Sequence, residues 1–64
     1  MPKRQKMILE ALWYLGAMHH EVTTRQVAEQ VGLNVNGVAQ TLGVMSSVVC
    51  LGGQGGETKW KLKN

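Results

Sequence analysis

The hydrophobic period of this chain changes once, and Gly52-Gly53-Gln54-Gly55-Gly56 marks the place. As far as Met45, apolar side chains recur mainly at helical spacing. After the glycines, Thr58-Lys59-Trp60-Lys61-Leu62-Lys63 alternates strictly, with Trp60 and Leu62 on one side and three lysines on the other. A period of two is the signature of a strand with one buried face. The β-formers Val48-Val49-Cys50-Leu51 precede the glycines, so residues 48–63 read as an antiparallel hairpin. One face packs inward and the other carries Lys59, Lys61 and Lys63, a charged row that also discourages edge-to-edge pairing. The inner face needs a helical layer to cover it, so the expected class is α+β.

Three segments supply that layer. In residues 5–18, Ile8, Ala11, Leu12 and Leu15 form one apolar stripe of a first helix, and Gly16 with His19-His20-Glu21 marks its end. Glu21-Val22-Thr23 is a short extended stretch. Thr23 with Gln26 three residues later fits a capping box. It opens a second helix over 23–31, with Val27, Ala28 and Val31 inside and Gly32 as the C-terminal stop. Asn34 caps a third helix over 34–46, whose inner face is Val35, Val38, Leu42 and Met45. Gly37 and Gly43 weaken that helix by about 1 kcal/mol each relative to Ala, so it depends on packing.

Length and charge narrow the function. Sixty-four residues are read as one domain spanning 1–64. A chain of this size buries only about 60% of its unfolded surface, which argues against a deep substrate cavity. One cysteine, Cys50, leaves no internal disulfide and suggests a reducing compartment. No long apolar run suggests a membrane span. The apolar stretch after Met1-Pro2-Lys3-Arg4 carries Glu10 and leads to no small-residue cleavage site, so no secretory signal is expected. The expected location is cytoplasmic, or nucleoid-associated in a prokaryote. Seven Lys and Arg against four Asp and Glu give a net charge of +3. The cations are concentrated in Lys3, Arg4 and Lys6 of a basic N-terminal arm (1–4) and first turn, and in the hairpin lysines. From Gln30 to Gly56 there is no charge.

The order helix, short strand, helix, turn, helix, hairpin resembles the winged helix-turn-helix of small transcription regulators. The resemblance rests on the capped second helix with Val27-Ala28 at its centre, Val31-Gly32-Leu33 through the turn, and Asn34 opening the third helix with Val38 and Leu42 inside. Val22 sits where that family's first strand joins the sheet, and Trp60 and Leu62 sit where its returning wing strand packs. The domains that bind left-handed nucleic acid have a similar layout and a tryptophan in that strand. Where their third helix presents an Asn-Arg pair and a tyrosine, this chain has Ala39, Gln40 and Gly43. Gly55-Gly56-Glu57 replaces their proline-containing wing, so that specialised activity is not expected.

The resemblance implies a protein that binds double-stranded DNA through helix 3 in the major groove. The expected base-reading residues are Val35, Asn36, Gly37, Gln40 and Thr41. Asn and Gln suit adenine, and Val suits a thymine methyl. Expected phosphate contacts are Lys3, Arg4, Lys6, Thr24, Arg25, Asn34, Lys59, Lys61 and Lys63, with helix starts adding amides. The glycine loop is expected to approach the minor groove or stay mobile. It lacks the Gly-Lys-Ser/Thr order of a phosphate-binding loop. Trp13 and Tyr14 fall off the core stripe and mark a candidate surface for a dimer or partner protein. That surface and the neutral middle motivate the alternative, a protein-interaction module within a larger complex. His19, His20 and Cys50 lack metal-site spacing, and Cys50 is expected to be a buried thiol. No nucleophile and base converge in the sequence, so no enzyme activity, cofactor, metal or small-molecule substrate is expected.

Overall fold

The computed structural model describes residues 2–63; Met1, counted above with the arm, and Asn64 lie outside the described residues. The chain forms α1 (Lys3–Tyr14), β1 (Val22–Thr23), α2 (Thr24–Val31), α3 (Val35–Val44), β2 (Val48–Gly52), a 3-10 turn (Gly55–Glu57) and β3 (Lys59–Leu62). Three helices and a three-stranded antiparallel sheet make this an α+β fold, with strand order β1-β3-β2.

Helix α1 begins earlier and ends earlier than its hydrophobic spacing implies. The Lys6 amide donates to the Pro2 carbonyl at 3.1 Å, so Lys3 and Arg4 are helical and do not form a free arm. Pro2, with φ −58°, is already set for a helix start. At the other end, Gly16 takes φ +81°, its amide reaches Trp13 O, and the Ala17 amide reaches Leu12 O at 2.9 Å. This paired closure stops the helix at Tyr14 and leaves residues 15–18 as a turn. Leu15 therefore packs against the core from outside the helix.

The next two helices start as their caps dictate. Thr23 Oγ1 accepts from the Gln26 amide at 3.1 Å, and Gln26 Oε1 accepts from the Thr23 amide at 2.8 Å. Gly32, at φ +72°, closes α2. Asn34 Oδ1 accepts from the Asn36 amide at 2.8 Å, and α3 runs ten residues to Val44, with Met45 already extended beyond it.

Strand β3 holds the sheet together. Val22 lies opposite Trp60 on one side, and Val48 lies opposite Leu62 on the other. Trp60 and Leu62 are buried against the helices, as the alternation implied, and join Ile8, Leu12, Val22, Val27, Val38 and Leu42 in one core. Thr24 is fully buried. Its Oγ1 accepts from Trp60 Nε1 at 2.7 Å and donates to Thr58 O at 3.3 Å. This polar seam fixes the start of α2 to β3, and no buried side-chain polar atom is left unpaired among the described residues.

Strand β2 departs from expectation. Only Val48 is buried, and Cys50 is exposed. Cys50 pairs with Trp60, but β2 is the edge strand and the core covers only its first residue. A register shift between Cys50 and Gly52 then leaves Leu51 exposed.

Candidate nucleic-acid interface

Helix α3 has a buried face of Val38 and Leu42 and an outer face of Asn36, Gln40 and Gly43. Asn36 and Gln40 are one helical turn apart, so their amide groups project side by side. Val35, Gly37 and Thr41 are half-buried at the flanks of this face. Thr41 Oγ1 donates to Gly37 O at 3.0 Å, so its proton is engaged within the helix. Asn34 is exposed, with its side-chain oxygen committed to the cap. Val44, exposed at the end of the helix, was not anticipated. Its position adjoining the Gln40 side of the helix gives the only sequence hint.

A cation approaches this neutral helix from another element. A Cβ on Gly37 would lie 3.4 Å from Arg4 Nη1. Helix α1 therefore places a guanidinium beside the first turns of α3, at a position where α3 has no side chain to fill the space. Lys6 is two residues further along α1, about 200° round the helix, and projects on the opposite side. Lys3 and Lys6 are exposed, and the side chain of this cluster that lies beside Gly37 is that of Arg4.

Two other cations are matched by acids distant in sequence. Arg25 Nε lies 3.1 Å from Glu57 Oε2, and Lys59 Nζ lies 3.3 Å from Glu21 Oε1. All four side chains are more than half exposed, where such pairs contribute about 0–1 kcal/mol and open readily to a phosphate. The sequence gives no local sign of the Arg25 pair. The Lys59 pair is a diagonal one across the sheet, because Lys59 lies opposite Thr23, two residues from Glu21. Lys61 is half-buried and Lys63 exposed. The hairpin lysines occupy the sheet face opposite Trp60 and Leu62, turned away from the helices.

The start of α2 does not offer the expected phosphate site at Thr24. Its hydroxyl is buried in the Trp60 seam, and its amide donates to Thr58 O at 3.0 Å. The glycine loop also differs from a free, projecting tip. Its 3-10 turn rests against α2 and α3. Thr58 Oγ1 donates to Gly55 O at 3.0 Å, and Arg25 spans Gly56 to reach Glu57. Gly53, at φ +111°, makes the reversal possible: a Cβ there would sit 2.7 Å from Glu57 O.

Trp13 and Tyr14 are 59% and 76% exposed on the outer side of α1. His19 and His20 are exposed, and no cluster of three or more metal-ligating side chains occurs among the described residues. No helix among them is long and apolar enough to cross a membrane. Compared with protein families, curated proteins and solved structures, the chain has no match.

Proposed function

We propose that this chain is a winged-helix protein that binds duplex DNA, acting as a transcriptional regulator. The observation that carries the reading is the approach of the Arg4 guanidinium to Gly37. It gives a helix with amide side chains and no charge of its own a cation at its groove-facing end. Asn36 and Gln40 read base edges. Arg4 anchors a phosphate beside them, with Lys61 and Lys63 as further contacts. The sheet order, with β1 and β2 flanking β3, supports the winged layout. The wing is shorter than the sequence implied, because its glycine loop folds back on α2 and α3. Neutral base-reading groups and few free cations imply modest affinity and a shallow salt dependence.

The test is a salt titration of duplex binding. Arg4→Ala weakens binding to all sequences and lowers the salt slope by about one, whereas Asn36→Ala or Gln40→Ala relaxes base preference and leaves the slope intact. Wild-type binding that is independent of salt, or variants indistinguishable from wild type, would overturn the proposal. The second reading, a protein-interaction module, draws on the exposure of Trp13 and Tyr14. It requires that duplex DNA produce no response even at low salt.

A further inference from the structure

We infer that the outer face of α1 is a self-complementary surface that pairs two copies of this chain antiparallel. This inference is independent of DNA binding. A groove on α1 is lined by Lys6, Leu9, Glu10 and Trp13. All four belong to one helix, so the groove has no opposing wall within the chain. Lys6, Glu10 and Trp13 lie opposite the face that buries Ile8, Ala11 and Leu12, and Leu9, half-buried against the core, lies at the edge between the two faces. Lys6 and Glu10 are four residues apart, yet the two ion pairs among the described residues are Arg25–Glu57 and Lys59–Glu21. Both charges are thus available to a partner.

Charge and spacing select the occupant and its orientation. Lys3, Lys6, Glu10 and Trp13 have separations of three, four and three residues, a pattern that reads the same when reversed. In an antiparallel two-fold pair, Lys6 of each copy faces Glu10 of the other. Lys3 then faces Trp13, where an ammonium can lie on the indole. A parallel pair would set Lys6 against Lys6 and Glu10 against Glu10. The antiparallel surface meets the requirement of an isologous contact, in which each residue finds its complement on the same patch. Twelve residues of helix span about 18 Å, and one face of them offers far fewer than the roughly 20–30 residues a side of a standard interface. The dimer is therefore weak and concentration-dependent.

The experiment is sedimentation equilibrium without DNA across micromolar to millimolar protein, with helical content followed by circular dichroism. Wild type shows a reversible monomer–dimer equilibrium. Lys6→Glu and Glu10→Lys, each placing like charges across the axis, raise the dissociation constant about tenfold or more, and the double charge swap restores it to within about threefold. Trp13→Ser also weakens the dimer. Folded variants are expected throughout, because these side chains lie off the core. A wild-type monomer at every concentration, single variants that associate as wild type does, or a double swap no better than the singles would each overturn the inference.

Discussion

Helices α1 and α3 meet where Arg4 lies beside Gly37, and they are alike inside and unlike outside. Each buries a short apolar row: Ile8, Ala11 and Leu12 on one, Val38 and Leu42 on the other. Outside, α1 shows charge and large aromatics, whereas α3 shows two amides, glycine and, at its end, Val44. The core constrains only the inner rows. The outer rows are free to differ, and under the proposed function that difference separates a surface for another copy of the chain from one for base edges. The cation that α3 lacks stands on its neighbour.

The likeness of the inner faces is tested by the largest effects. Leu12→Ala and Leu42→Ala each remove a side chain that is 0–1% exposed, and each should cost about 2–5 kcal/mol in urea denaturation. The whole chain has roughly 3–10 kcal/mol to lose. If only one of the pair were sensitive, the two helices would not share one core. Between them, Thr24→Val should cost about 1–3 kcal/mol by leaving the buried Trp60 N–H without an acceptor. Duplex affinity, measured under conditions where the variant is folded, should be unchanged, which locates Thr24 in the interior and off the binding surface.

Smaller effects separate the outer faces. Gly43→Ala has open space around its new methyl group and should stabilise the chain by about 0.5–1 kcal/mol in thermal melts. A loss would mean that α3 needs flexibility there. Trp13→Ser should alter stability by no more than about 0.5 kcal/mol while weakening self-association. A large loss of stability would show that Trp13 supports the fold.

Much of this contrast was legible because its causes are local. The Thr23–Gln26 capping box, the Gly32 stop, the Asn34 cap and the inward Trp60–Leu62 alternation each depend on residues close in sequence. The stop after α1 was less legible: Gly16 announced it, but the apolar spacing through Leu15 suggested a longer helix. Other features arise from contacts between distant segments. Cys50 has a core-like residue type on an edge strand that the core barely covers. Arg25 finds Glu57 only because the glycine loop folds back over α2. Arg4 reaches Gly37 only because α1 crosses α3. The candidate surface was thus readable as a set of residue types, whereas its charge distribution depends on the tertiary arrangement.

An amide-shift titration of the full chain with duplex DNA, at low salt and again at high salt, tests the central proposal most directly. Shifts should gather at Asn36, Gln40 and neighbouring α3 amides, with the Arg4 end of α1 responding beside them, and all should fade as salt rises. No shifts at low salt, or shifts confined to Trp13, Tyr14 and the outer face of α1, would contradict it.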